Sequence, residues 1–181
     1  AKGSFFEGGI RVPAVISYPK LFPQGETRDQ AIINLDILPT ICEILDIPKP
    51  KNKLDGKSIF DIIKSDDAKS PHEVLHWMWQ GMWAVRKGNW KLIYDGHDTT
   101  GKFSIHPEKE FEMPEYYLAN LDDEKPEEIN YALKEPKIFK ELLALHQSWA
   151  KDVFEGSGYP DPNSAEGKKE KIIKTKGTTK L

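Results

Sequence analysis

The sequence predicts an α/β edge segment followed by an α+β region in which an antiparallel sheet packs against one long helix. A strand–loop–helix pattern over residues 14–45 indicates the edge segment. Between residues 74 and 121, short runs rich in β-branched and aromatic residues are separated by turns, which is typical of an antiparallel sheet. Residues 136–154 then carry apolar side chains at steps of three and four, the spacing of an amphipathic helix.

The edge segment, residues 1–65, is predicted to be the C-terminal end of an α/β domain. Residues 14–18 are β-branched and aromatic enough to form a strand. A helix should follow, because Asn34 and Asp36 are both suitable cap residues and an apolar stripe at helical spacing comes after them. The residues of that stripe are Leu38, Ile41 and Leu45.

The α+β region is predicted to be a second domain over residues 70–155. A tight turn at residues 87–89 should join two of its strands into a hairpin. The predicted strands cover residues 74–79, 83–86, 90–94 and 116–121.

Each element of this second domain has a predicted apolar side. Side chains of the third strand should alternate between the two faces of the sheet. One face is predicted to carry Lys91 and Ile93, and the other to carry Trp90, Leu92 and Tyr94. The stripe that the long helix should bury is formed by Ile138, Leu142, Leu145, Trp149 and Val153.

Charge is distributed unevenly along the 181 residues, whose formal net charge is −3. Residues 167–181 hold six lysines and one glutamate, a local charge of +5, so the rest of the chain carries −8. We expect residues 156–181 to be a solvated, disordered tail, with a polyanion-binding tail as the alternative. No aromatic residue lies among these lysines, so the tail lacks the side chains on which nucleic-acid bases stack. Elsewhere in the sequence, no apolar run is long enough to span a bilayer.

A search for catalytic groups from the residues alone finds little. Cys42 is the single cysteine, and its apolar helical context indicates a buried structural thiol. The five histidines have no spacing suited to a metal; His72 and His76 are four apart but lie at a predicted strand entrance. The chain opens on Ala1 in loop-like sequence, as we expect of a piece of a longer protein.

Residues 2–13 are similar to a motif of the sulfatase family, K-G-x-x-x-E-G-G-x-R-x-P, with seven fixed positions at the correct spacing. Later segments resemble further family motifs in the same order. They are the D-x-x-P-T helix start at residues 36–40, the L-D-G-x-S loop at 54–58, the A-V-R-x-G-x-W-K-L hairpin at 84–93, and the strand with its acidic loop at 117–130. The last departs slightly, because the family's L-Y-D/N-L is replaced by Y-Y-L-A-N-L at residues 116–121. Together the motifs cover about residues 1–155.

The resemblance implies a catalytic site of which this chain holds one residue. Lys2 matches the family's lysine that contacts a sulfate oxygen, so it is the predicted catalytic and substrate-binding residue. The family also uses a calcium ion, held by Asp and Asn, and a formylglycine made from Cys or Ser in C/S-x-P-S-R. Neither set is present here, because Cys42 is followed by Glu-Ile-Leu, and the Asp-Asn pair lies upstream in the family. We therefore expect no metal site in this chain, and the chain alone should be inactive.

The strand before the W-K-L hairpin carries the second predicted substrate contact. His76 lies beside Trp77 and Trp79, where the corresponding strand of many family members reaches the substrate cleft. Leaving-group recognition by His76 is one interpretation, and a packed aromatic strand is the other. Arg86 and Lys91 are predicted to be structural, bonding to the acidic loop or to backbone.

The E-G-G-x-R segment is predicted to form a shaped loop behind Lys2. Glu7 and Arg11 would pair as ions, while Gly8 and Gly9 would allow unusual backbone angles.

Two kinds of partner follow from the resemblance. One is the N-terminal catalytic region of the same protein, and the other is a sulfated small molecule or glycan as substrate. The family also favours a periplasmic or secreted location. Two alternatives stay open: a phosphonate or phosphodiester hydrolase of the same superfamily, and a non-catalytic module that binds sulfated glycans.

Overall fold

The structure is a computed structural model that describes residues 3–79, 81–96 and 114–155. The predictions for Lys2 and for the tail at residues 156–181 lie outside these residues. The described elements, in chain order, are α1 (Glu7–Ile10), a 3-10 turn (Asn34–Asp36), α2 (Ile37–Ile44), α3 (Phe60–Lys64), β1 (Val74–Trp79), β2 (Met82–Lys87), β3 (Trp90–Tyr94), β4 (Tyr116–Asn120) and α4 (Pro136–Phe154).

The chain divides into two compact units. One is Pro13–Glu73, and the other combines Ala1–Val12 with Val74–Leu181. Residues 3–12 therefore belong to the same unit as the sheet, and Phe5, Phe6 and Ile10 pack against it. We call the two parts the helical unit and the sheet unit.

The sheet unit contains a four-stranded antiparallel meander in the order β1-β2-β3-β4. The turn after Lys87 brings Trp90 opposite it in the β2–β3 register. Gly88 has φ +56° in this turn, a conformation that favours glycine. The predicted antiparallel sheet with one long helix is confirmed.

Both faces of the sheet are covered, which explains why β2 is buried at four consecutive positions. On one face, Leu142 of α4 packs with the cluster Trp83, Val85, Leu92 and Leu118. On the other, Phe5 packs with Met82, Ala84, Ile93, Tyr117 and Ala119, and Phe6 and Ile10 lie against them. The predicted separation of Leu92 from Ile93 is confirmed.

Helix α4 begins with Pro136 in its first turn, where the missing N–H has no cost. Its buried residues are Leu142, His146 and Ala150. The predicted stripe is wrong at Val153, which is 44% exposed. A helix of 19 residues is about 28 Å long, whereas strands of five or six residues reach about 17–20 Å, so its end extends past the sheet.

The helical unit differs from the prediction at its first element. Residues 14–18 form no strand, and Val15 is 93% exposed. A strand needs a partner for its backbone groups, and the described residues of Pro13–Glu73 supply none. The helix predicted after residue 34 is present as the 3-10 turn and α2.

The predicted apolar stripe of α2 is exposed in this chain. Its buried residues are instead Pro39, Thr40 and Cys42, which confirms the buried thiol. The stripe residues Leu38, Ile41 and Leu45 are all classed as exposed. Across the described residues, no helix has both the length and the apolarity that a bilayer crossing requires.

Candidate functional site

The segment that follows Lys2 lies on the face of the sheet opposite α4. Gly3 has φ +93°, and the Ser4 hydroxyl oxygen accepts the Phe6 backbone N–H at 3.3 Å. The Phe6 ring meets Tyr117 edge to face, with ring centroids 5.4 Å apart. Ser4 and Phe5 are buried, so the chain is fixed two residues after Lys2.

Gly96 leaves room for this segment. A Cβ added at Gly96 would lie 2.6 Å from an Ile93 methyl group and 3.1 Å from the Phe6 ring. A side chain there would force the Ile93 methyl group to move and would crowd the Phe6 ring.

Lys91, Glu7 and Glu127 form a charged group beneath α1, which we call the Lys91 cluster. The Lys91 side chain is fully buried, and its Nζ lies 2.6 Å from Glu7 Oε1 and 2.5 Å from Glu127 Oε1. The approach to Glu127 does not have hydrogen-bond geometry, so that contact is an ion pair. Glu127 Oε2 accepts the backbone N–H of Glu7 at 2.8 Å. The cluster therefore joins α1, β3 and the acidic loop.

The local sequence explains how these three side chains meet. Lys91 alternates with Leu92 along β3 and so points to the face that carries Ile93. Glu127 has φ +68°, and its carbonyl oxygen accepts the Tyr117 hydroxyl at 2.8 Å. Burial, and next the charges of Glu127 and Glu128, raise the pKa of that hydroxyl above its usual range. Tyr117 therefore stays a protonated donor.

Two predictions about the E-G-G-x-R segment are wrong. Glu7 pairs with Lys91, and the exposed Arg11 contributes its backbone N–H to the Glu7 carbonyl at 2.9 Å. Gly8 and Gly9 lie in α1 without positive φ. A short helix holds them in ordinary geometry because the buried lysine, rather than a strained turn, fixes the segment.

The predictions that Arg86 and Lys91 are structural are confirmed. Arg86 Nε donates to the Gly88 carbonyl oxygen at 2.9 Å. Lys91 forms an ion pair with Glu127 of the acidic loop. The prediction did not include Glu7 as the second partner.

His76 lies between the sheet and α4. Its ring stacks on Trp149 at 4.7 Å between centroids and lies 5.9 Å from the ring of His146, which stacks on Trp83 at 3.8 Å. Burial lowers the pKa of both histidines to about 4, and the charge of His76 is a second cause for His146. This geometry supports the packed-aromatic interpretation, and leaving-group recognition by His76 stays a prediction.

Sequence reasoning missed His146. It lies four residues after Leu142 and four before Ala150, so the helical spacing carried a signal for its burial. The predicted stripe of the helix contains apolar residues only, so it does not include this histidine.

In the helical unit, the D-x-x-P-T and L-D-G-x-S motifs contact each other. The fully buried Asp36 carboxylate accepts the backbone N–H of Ile33 at 2.9 Å and of Lys57 at 2.8 Å, and it pairs with His72 Nε2 at 2.7 Å. The Thr40 hydroxyl donates to the Asp36 carbonyl at 2.6 Å. Asp36 precedes α2 as predicted, but its carboxylate does not cap that helix.

Gly56 completes this contact. A Cβ there would lie 1.9 Å from the Leu35 carbonyl oxygen, so only glycine fits. Both motifs thus have structural roles.

The described residues do not fit the cofactors of the sulfatase family. Among them, no group of three or more His, Cys, Asp or Glu side chains is placed to hold a metal ion. Cys42 is buried in α2 and is not followed by the formylglycine motif.

Comparison with known proteins identifies the class. The sequence profile of the family described as N-sulphoglucosamine sulphohydrolase, C-terminal, matches residues 1–152. The chain therefore belongs to the sulfatase family and corresponds to its C-terminal part, as the motifs predicted.

Individual relatives agree. An uncharacterized sulfatase of Schizosaccharomyces pombe is 32% identical over 152 residues, covering 79% of this chain and 25% of the relative. A sulfatase of Formosa agariphila is 30% identical, with 80% and 27% covered, and human arylsulfatase A is 33% identical, with 58% and 22% covered. The chain thus spans about a quarter of the length of these relatives.

Proposed function

We propose that this chain is part of an enzyme that hydrolyses sulfate esters, and that its sheet unit holds Lys2 toward the sulfate group. The observation that carries the proposal is the fixed position of residues 4–10 on the sheet. Phe5 is in the core, and Glu7 is held by the buried Lys91. Lys2 precedes Ser4 by two residues, so fixing Ser4 restricts the space open to it.

An ammonium group suits the proposed task. Cleavage of a sulfate ester concentrates negative charge on the leaving oxygen and on the sulfate oxygens. A cation held in place beforehand stabilises that charge without reorganisation during the reaction. The short anchored segment supplies this restraint to the long, flexible lysine side chain.

The rest of the catalytic site is proposed to come from the upstream region of the same protein. When bound there, a calcium ion would polarise the sulfate group and a formylglycine would supply the nucleophile. In this chain, we assign only the lysine to the reaction, and His76 is a candidate contact for the leaving group.

The helical unit supports the proposal of an upstream partner. Its exposed large apolar side chains include Val15, Leu35, Ile37, Leu38, Ile41 and Leu45. Ile37, Ile41 and Leu45 follow one another at helical spacing in and just after α2, and an exposed apolar stripe of this kind is typical of a surface that another part of a protein covers. We propose that the N-terminal catalytic region covers it.

The proposed substrate class is a sulfated small molecule or glycan. The name of the matched family includes N-sulphoglucosamine, and the relatives include arylsulfatases. N-sulphoglucosamine carries its sulfo group on nitrogen, and an aryl sulfate carries it on oxygen. In either compound, an ammonium group would contact the oxygens bound to sulfur.

Substitution of Lys2 in the protein with its upstream region tests the proposal. Lys2→Ala should lower kcat for an aryl sulfate by about 100-fold or more, the effect of removing one preorganised charge donor. The exposed Lys20 provides the control, because Lys20→Ala removes the same group from the helical unit. Unchanged turnover by Lys2→Ala would contradict the role of this lysine.

The same protein separates the two alternatives. Faster cleavage of a phosphodiester than of the matched sulfate ester would support the phosphonate or phosphodiester hydrolase. Saturable binding of sulfated oligosaccharides without any hydrolysis would support the glycan-binding module.

A further inference from the structure

We infer that Lys91 is a positioning residue for sulfate ester hydrolysis, acting through Glu7 and Glu127 on the segment that carries Lys2. The inference rests on the proposed function. It assigns to the W-K-L hairpin a part in catalysis at a distance from the reacting atoms.

The charges of the Lys91 cluster make Lys91 its essential member. Glu7 and Glu127 contribute two carboxylates, and the Lys91 ammonium lies within 2.6 Å of an oxygen of each. Without this cation, two largely buried carboxylates would face each other, and like charges at short range repel strongly where water is excluded. The simplest relief is movement of α1, because its four residues form the smallest element of the cluster.

The directions of the contacts distinguish positioning from simple adhesion. Phe5, Phe6 and Ile10 hold the segment by apolar packing, which is non-directional and allows small shifts. Glu7 adds directional contacts, since its carboxylate meets Lys91 while its backbone N–H donates to Glu127. A buried ion pair is weak support for stability compared with apolar packing, but it fixes one geometry.

The acidic loop is itself held firmly, so that it is a suitable support. The Asn130 side chain donates to the Tyr116 carbonyl at 3.0 Å and accepts the Leu118 N–H at 3.0 Å. The Tyr117 hydroxyl bonds to the Glu127 backbone. Each contact ties the loop to β4, so Glu127 presents its carboxylate to Lys91 from a fixed backbone.

A double-mutant cycle in the protein with its upstream region tests the inference. The variants are Lys91→Met, Glu7→Gln and Lys2→Ala, and the first two are also combined with Lys2→Ala. Lys91→Met should lower kcat about 10- to 100-fold with KM changed less than about threefold, because a shift of about 1 Å in a catalytic group has an effect of this size. In the Lys2→Ala background, Lys91→Met should change kcat less than about twofold, because the lysine side chain that Lys91 positions is then absent.

The surface ion pair of Lys87 with Glu141 supplies matched controls. It joins the same sheet to α4 at 2.8 Å, and both side chains are substantially exposed. Lys87→Met and Glu141→Gln should leave kcat within about twofold of the parent.

The outcomes separate the two claims. If Lys2→Ala has no effect on kcat, the proposed function of Lys2 fails, and the inference fails with it. If Lys2→Ala acts but Lys91→Met and Glu7→Gln keep their full effects in its background, only the positioning role is overturned. Loss of the fold in both cluster variants, seen by circular dichroism, would show that the cluster serves folding alone and would also overturn it.

Discussion

The sheet unit and the helical unit bury their apolar residues very differently. The sheet is covered on both faces, with Val85, Leu92 and Leu118 fully enclosed. In the helical unit, Val15 and Leu45 are 93% and 58% exposed. The sheet unit has an apolar cluster on each face, whereas the helical unit buries Phe22, Cys42, Ile59 and Ile62 and leaves the stripe of α2 exposed.

The two units are also held by different forces. Leu142 of α4 and Phe5 of the opening segment seal the sheet by apolar contact. In the helical unit, the buried Asp36 carboxylate, with its backbone donors and His72, adds polar contacts to the buried Phe22, Ile59 and Ile62. The difference shows that polar contacts can fix the local geometry of a segment whose apolar stripe is exposed.

Core truncation should show the largest difference between the units. Leu92→Ala should lower the free energy of unfolding by about 3–4 kcal/mol, because it removes buried methyl groups and leaves a cavity. In residues 1–181 alone, Leu45→Ala should change it by less than about 0.5 kcal/mol, since the side chain is exposed there. Urea unfolding followed by circular dichroism measures both. Equal costs would contradict the contrast in burial.

Loss of the central carboxylate should have the next largest effect, in the helical unit. Asp36→Ala leaves the backbone N–H groups of Ile33 and Lys57 and the His72 ring without their acceptor, so we expect a cost of about 2–3 kcal/mol. Amide hydrogen exchange over residues 33–60 reports it. Asp29→Ala, at an exposed site, is the control and should leave exchange unchanged.

Low pH should weaken the packing of α4 against the sheet. The pKa of both His76 and His146 is lowered to about 4 in the folded state, from 6.5. The unfolded chain therefore takes up protons first as the pH falls, and stability present above pH 6.5 is lost progressively toward pH 4.

We expect this loss to be about 2 kcal/mol between pH 7.5 and pH 5, less than the full shifts imply because His76 is only half-buried. Urea unfolding at the two pH values measures it. His146→Phe keeps a flat ring against Trp83 and should reduce the pH dependence. The same pH dependence in both proteins would exclude His146 as its source.

The smallest predicted effect concerns the edge of the sheet at β4. Asn130 there replaces a neighbouring strand by bonding to the backbone of Tyr116 and Leu118. Asn130→Ala should lower the free energy of unfolding by about 1 kcal/mol. Faster amide exchange at Leu118, with the rest of the sheet unchanged, would support this role, and unchanged exchange at that amide would contradict it.

Local pattern predicted most of the sheet unit. Strand β1 and helix α4 were predicted with their observed limits, since alternation and helical spacing are properties of neighbouring residues. The strand at residues 14–18 was wrong because a strand depends on a partner, and the partner is not among the described residues.

The candidate site was less accessible to sequence reasoning. The motif located the segment after Lys2, but Glu7 was paired with its neighbour Arg11. Its partner Lys91 lies 84 residues further along the chain, and only the folded sheet brings the two together. Which residues pair over such a sequence separation depends on the topology of the fold, and the spacing of neighbouring residues does not specify it.

The most direct test of the central claim compares aryl sulfate hydrolysis by this chain alone with hydrolysis by the protein that includes its upstream region. The claim is that the chain completes and supports a sulfatase site whose nucleophile lies elsewhere. We predict turnover by the longer protein and none above the blank by residues 1–181. Hydrolysis by the isolated chain, or its absence from the longer protein, would contradict the claim.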